Sequence, residues 1–130
     1  VLALEPKVLI LDEPTVALDY QSREEIMAMV KRLKEEFDMT IVLVTHNMDY
    51  VLEYADKVFV LKNGEISFEG KVEDLFLNEQ VLKDNSLELP EVLKFYKKLE
   101  ANNIVLDVFP RKYEELINAL KNKIGSSRNE

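Results

Sequence analysis

Val8-Leu9-Ile10-Leu11-Asp12-Glu13-Pro14 is the stretch that decides how this sequence folds. Four consecutive apolar residues, two of them β-branched, lie between Pro6 and Pro14. Such a run predicts a strand covered on both faces, as in a parallel sheet. It ends in two carboxylates. In open α/β sheets, ligands sit beyond the carboxyl ends of the strands, so Asp12 and Glu13 stand where a ligand would. A carboxylate on a rigid strand there can hold Mg²⁺, usually through water, and its neighbour can orient and deprotonate an attacking water. The same residues also suit the plain point at which a buried strand meets solvent.

Working outward, Ile26, Val30, Leu33 and Phe37 recur at helical spacing and predict a helix over residues 20–37, with Asp19 or Ser22 as its cap. Residues 40–44 read as a second buried strand. Asn47 can cap a short helix containing Val51 and Leu52. Residues 57–61 and 65–68 flank Asn63-Gly64, a two-residue hairpin signal. The order strand, helix, strand, helix, hairpin is an α/β layout with a parallel-sheet core and a terminal β-hairpin. After Gly70 the pattern turns helical. A short amphipathic piece covers 72–77, and Pro90 opens a helix whose apolar face is Val92, Leu93, Tyr96 and Leu99. Residues 104–109 read as a strand or an extended link. Tyr113, Leu116, Ile117, Leu120 and Ile124 mark a last helix, which Gly125 should end, leaving 126–130 as a disordered tail.

The 130 residues suffice for one domain with a real core, and 47% hydrophobic with 32% charged residues is a globular profile. Cysteine is absent, which excludes disulfides and thiolate metal sites. A net charge of -8 argues against binding a nucleic-acid backbone, which needs clustered Lys and Arg. No apolar run approaches the ~18 residues of a membrane helix, so service to a membrane would be from its surface. The first residue is Val1, and a hydrophobic strand follows within a few positions, as if the sequence were entered part-way through.

Two further residues carry chemistry. Asp19, seven positions after Asp12, is a natural helix cap. His46, the single histidine, stands directly after the second strand in Val44-Thr45-His46. Its ring should reach the crevice beyond Asp12, where an imidazole can hydrogen-bond a terminal phosphate.

In order and spacing, residues 9–15, then Ala17-Leu18-Asp19, then Val42-Leu43-Val44-Thr45-His46-Asn47-Met48-Asp49 resemble the Walker B, D-loop and H-loop of ABC ATPases. Residues 54–66 are similar to the stretch that follows in that family, and the resemblance covers residues 1–70. It implies the C-terminal part of a P-loop NTPase domain, with ATP and Mg²⁺ as ligands. Position by position, it implies that Asp12 is the Mg²⁺-associated carboxylate, Glu13 the general base, Asp19 a residue acting across an ATPase dimer, and His46 the switch histidine at the γ-phosphate. Val16 stands where the family more often has a small residue, and Asn47 replaces a common Asp. The 130 residues contain no Gly-x-x-x-x-Gly-Lys-Ser/Thr loop, glutamine loop or Ser-Gly-Gly signature. They should therefore begin just after that signature, and the chain alone should be inactive.

Residues 70–76 are similar to the end of many importer ATPases. Leu87-Glu88-Leu89-Pro90-Glu91-Val92-Leu93, with Glu114-Glu115-Leu116 later, resembles the C-terminal extension of energy-coupling-factor and cobalt/nickel importer ATPases. The resemblance implies a partial ATPase subunit, with residues 71–125 as a helical extension that assists pairing of two ATPase subunits. Its partners would be a second ABC ATPase subunit, a transmembrane transporter subunit and the N-terminal half of the same domain. It would work at the cytoplasmic face of a membrane, powering import of cobalt, nickel or a vitamin. The alternatives are a non-transporter ABC ATPase of DNA repair or translation, and a non-catalytic remnant that pairs with and regulates an intact homologue.

Overall fold

Two strands form the first element of the fold, in a computed structural model that describes residues 6–126. β1 (Val8–Asp12) and β2 (Thr40–Val44) run parallel, with Val8 opposite Thr40 and Asp12 opposite Val44. A parallel pair needs a crossover, and α1 (Tyr20–Phe37) supplies it. Asp19 caps α1, its carboxylate accepting from the Ser22 N–H at 2.9 Å and the Ser22 hydroxyl at 3.0 Å. Asp38, at φ 49°, ends α1 in the left-handed conformation that stops many helices.

Coverage of these strands differs from the sequence reading. Leu9, Leu11, Ile41 and Leu43 are half-buried, and α1 buries Met27 and Val30. Val8, Ile10, Val42 and Val44 alternate with them and are 53%, 67%, 43% and 48% exposed. Successive strand side chains point to opposite faces, and a single helix covers one face of a two-stranded sheet. The expectation of strands buried on both faces is therefore not met within this chain.

Packing divides the chain into two units, Val1–Asn47 and Met48–Glu130. The second contains α2 (Met48–Tyr54), β3 (Lys57–Lys62), β4 (Glu65–Lys71), α3 (Val72–Leu77), α4 (Glu79–Asp84), α5 (Glu91–Ala101) and α6 (Tyr113–Ser126). β3 and β4 pair antiparallel across Asn63 and Gly64, both at positive φ (53° and 82°), as a type I′ hairpin turn requires. The core of this unit runs through Leu52, Val60, Phe76, Leu93 and Leu116. Because Leu52, Val60 and the α3 side chains share it, the packing boundary falls at Asn47/Met48 rather than at the expected Gly70.

Three local expectations change. α4 is a helix that the residue pattern did not suggest, capped by Asn78, whose side chain accepts from the Val81 N–H at 3.1 Å. Residues 104–109 form no strand but an irregular link with bends at Asp107 and Val108, and Leu106 is buried. Gly125 does not end the last helix, since α6 continues to Ser126, whose hydroxyl donates to the Asn122 carbonyl at 2.9 Å. Beyond Ser126, the expected disordered tail lies outside the described residues.

Candidate functional site

The carboxyl ends of β1 and β2 meet at Glu13. Its N–H donates to the Val44 carbonyl at 2.8 Å, carrying the parallel ladder one residue past β1. To make that bond and turn away, Glu13 adopts φ 44°, and Ala17 in the following loop adopts φ 62°. Positive φ is uncommon for residues with a Cβ, and such strain concentrates at functional sites.

The Glu13 side chain is held on both oxygens. Oε1 accepts from the His46 main-chain N–H at 2.9 Å and lies 2.5 Å from the His46 ring Nδ1. Oε2 accepts from the Thr45 hydroxyl at 3.3 Å. The Asn47 N–H in turn donates to Thr45 Oγ1 at 3.1 Å, fixing that hydroxyl at the strand end. The hydrogen bond from the His46 ring keeps Glu13 below the ordinary carboxylate range; burial opposes this, and the His46 main-chain N–H, its charge and the Thr45 hydroxyl add to the lowering. Glu13 is thus an ionised carboxylate, 30% exposed, beside an imidazole that is 84% exposed. With Nδ1 donating to Glu13, the neutral ring presents a lone pair at Nε2, and only the protonated ring can donate from it.

Of the four residues singled out by sequence, Glu13 and His46 come together, 33 positions apart in the chain. Asp12 is exposed at the end of β1, and the histidine meets its neighbour instead. Asp19 is occupied in capping α1, and the Ser22 N–H and hydroxyl hold its carboxylate below the usual range. Thr45 is the residue the sequence reading passed over. A hydroxyl at a strand-to-helix junction tends to make such local bonds, and that was its available signal.

Among the described residues, no group of three or more His, Asp or Glu is placed to hold a metal. Mg²⁺ takes one or two carboxylates and fills its octahedron with water and phosphate oxygens. Asp12 suits that role as a single hard donor, and does not make a metal site by itself.

No protein-family profile matches the sequence. Curated relatives do. The energy-coupling factor transporter ATP-binding protein EcfA2 of Enterococcus faecalis is 44% identical over 124 residues, 95% of this chain and 43% of the relative. The corresponding EcfA protein of Methanoculleus marisnigri is 40% identical over 108 residues, 83% of this chain and 39% of the relative. This chain thus spans less than half the length of the relatives it matches. Among solved structures, CbiO1 from Clostridium perfringens, described as part of the ABC transporter complex CbiONQ, superposes with a TM-score of 0.54 at 38% identity, over 74% of this chain and 38% of that one. The ATP-binding cassette MJ0796, solved as a dimer in a post-hydrolysis state with ADP and Pi, gives a TM-score of 0.50 at 38% identity, over 55% of this chain and 30% of that one. The sequence is therefore homologous to part of the energy-coupling-factor transporter ATP-binding proteins, and its α/β fold is that of part of an ABC ATPase.

Proposed function

We propose that this chain supplies the hydrolytic residues of an ABC-type importer ATPase, with Glu13 as general base, His46 as the residue that senses the terminal phosphate, Asp12 as the Mg²⁺-associated carboxylate, and Asp19 acting across a pair of ATPase subunits. The observation that carries the reading is the Glu13 carboxylate, fixed by His46 and Thr45 at the joint carboxyl end of two parallel strands. Bound MgATP would supply the electrophilic phosphorus and the charge that the metal neutralises.

The rest is done by this chain. A carboxylate offers about four acceptor positions, two on each oxygen. His46 fills both on Oε1, and Thr45 fills one on Oε2, which leaves Oε2 one position for a water. That water would be oriented by Oε2 and pass its proton to Glu13 as it attacks. When the His46 ring is protonated it can donate from Nε2 to a phosphate oxygen while Nδ1 donates to Glu13 Oε1.

The transporter names of the relatives, together with the resemblance in sequence, support a wider setting. The chain would act with the N-terminal part of an ATPase domain that carries the phosphate loop, with a second ATPase subunit, and with a transmembrane transporter subunit at the cytoplasmic face of a membrane. The cargo would be cobalt, nickel or a vitamin. Among the described residues no helix is long and apolar enough to cross a membrane.

The test is a graft of residues 1–130 in place of the matching stretch of the Enterococcus faecalis relative, assayed for ATP hydrolysis and ATP binding. Glu13→Gln should cut turnover by ~10²–10⁴-fold while ATP still binds. Turnover within a few-fold of the parent graft removes Glu13 from the role of base. A graft that binds no ATP at all favours the rival reading, a non-catalytic pairing module.

A further inference from the structure

Residues 14–18 lead from Glu13 to the Asp19 cap in two successive turns. The Val16 N–H donates to the Glu13 carbonyl at 3.2 Å, and the Leu18 N–H to the Thr15 carbonyl at 3.4 Å. Both are long for such bonds and therefore weak. The loop is entered and left through residues at positive φ, Glu13 at 44° and Ala17 at 62°. Among the described residues, one side chain grips the main chain of this loop. The Arg23 Nε–H donates to the Leu18 carbonyl at 2.8 Å, reaching back from the first turn of α1.

The two strained residues are not held equally. Glu13 is fixed by the Val44 carbonyl on its N–H, and by His46 and Thr45 on its carboxylate. Ala17 has only a methyl group, and Val16 beside it is 58% exposed, so side-chain packing does little to hold that part of the loop. Left-handed backbone in a residue with a Cβ costs free energy of the same order as a hydrogen bond from a charged donor supplies. Such a conformation persists only where its surroundings over-determine it. With Leu18 pinned at its N–H and its carbonyl, and Val16 tied to Glu13, Ala17 between them takes the φ that closes the loop.

We propose that Arg23 is a positioning residue for Glu13: by pinning the Leu18 carbonyl it keeps Ala17 left-handed, and the loop so closed holds the Glu13 main chain at the angle that brings its carboxylate to His46. Without the clamp, Ala17 would relax to negative φ and the weak turn bond from Leu18 to Thr15 would open. Glu13 would then have one constraint fewer on its own strained φ, and its carboxylate would spend part of its time away from His46. Arg23 touches none of the reacting groups. That Glu13 acts as a base rests on the function proposed above; the link from Arg23 to the Glu13–His46 contact does not. The plain alternative is that Arg23 only steadies the first turn of α1. Glycine at position 17 separates the two, because it takes positive φ without strain and otherwise loosens a chain. It can offset the loss of Arg23 only if the clamp serves to hold Ala17.

The test is amide hydrogen exchange on the full 130-residue chain. It is read at the His46 N–H, which Glu13 Oε1 accepts at 2.9 Å, and at residues 41–43 of the β1–β2 ladder. Arg23→Ala should speed exchange at His46 by about fivefold or more, with the ladder within about twofold of wild type. Adding Ala17→Gly to Arg23→Ala should return His46 to within about twofold of wild type. Arg23→Gln, a milder change that removes the charge, is read in the same way if Arg23→Ala unfolds the first unit. Unchanged exchange at His46, an acceleration that Ala17→Gly does not reverse, or equal acceleration of His46 and the ladder would overturn the proposal. None of these readouts depends on hydrolysis, so failure of Glu13→Gln in the graft would sink the catalytic reading and leave this link standing.

Discussion

The unit Val1–Asn47 carries the residues proposed for chemistry, and the unit Met48–Glu130 carries the larger buried core. In the first, four apolar strand residues lie open on one sheet face, and Thr15, Met27, Val30 and Met39 make up its buried set among the described residues. In the second, Val72, Leu75 and Phe76 are fully buried, with Leu52, Leu93 and Leu116 nearly so. A fully buried aliphatic or aromatic side chain contributes about 1.5–3 kcal/mol, so the second unit holds most of the hydrophobic stabilisation. The strained backbone at Glu13 and Ala17 sits in the unit with less burial to offset it. The residues proposed for chemistry lie where two strands end, on a sheet with one face open, and most of the buried apolar side chains belong to the second unit.

Substitutions can break or sharpen that contrast. The largest effect is expected in the graft at His46, where His46→Ala should lower turnover by about a hundredfold or more, because no second histidine exists to replace it. The assay is steady-state hydrolysis, and near-parental turnover would leave the first unit without its assigned chemistry. Next comes Phe76→Ala, expected to destabilise the second unit by ~3–5 kcal/mol in urea unfolding. Ile10→Ala in the isolated chain should change stability by no more than ~0.5 kcal/mol, since that side chain is 67% exposed. The same Ile10→Ala change in the graft should cost ~2–5 kcal/mol if the open face is covered there. An equal, small cost in both would mean that the face stays open.

The smallest effect concerns pH. The Arg111 guanidinium holds Glu73 below its ordinary 4.5, and Glu53 holds Lys112 above its ordinary 10.5. The Glu73 contribution is therefore present above 4.5 and lost as pH falls through the lowered value. The Lys112 contribution is present below 10.5 and lost as pH rises through the raised value. Each should be worth under ~1 kcal/mol, because the side chains are partly exposed. Thermal melting of wild-type and Glu73→Gln chains across pH checks this: the difference between them should vanish in acid.

Much of the fold was legible because periodicity survives without context. Asp19 as cap, α1 over residues 20–37 and the Asn63-Gly64 hairpin all follow from local rules. What local rules could not reach was cover. Val8-Leu9-Ile10-Leu11 is apolar at every position, so nothing in it distinguishes a face packed by α1 from a face left open. α4 has two apolar residues in six and gave no clear stripe, although Asn78 is a good cap. Gly125 was a false stop, since glycine permits a left-handed ending without requiring one. At the site, the carboxylates and the histidine stood out by residue type and position. Their pairing did not, because it depends on the parallel register that sets Asp12 beside Val44. Arg111 had no signal at all, being one cation in a loop whose three partners lie 4, 38 and 56 residues away.

The most direct measurement is calorimetry of MgATP with the 130-residue chain, alone and then as the graft. Asp12 and Glu13 would face phosphates with no phosphate loop in these residues to offset the repulsion, so the chain alone should give no binding in the low-micromolar range. The graft should restore it. Low-micromolar affinity in the chain alone would contradict the division proposed here, in which this chain holds the hydrolytic residues and the phosphate cradle lies outside it.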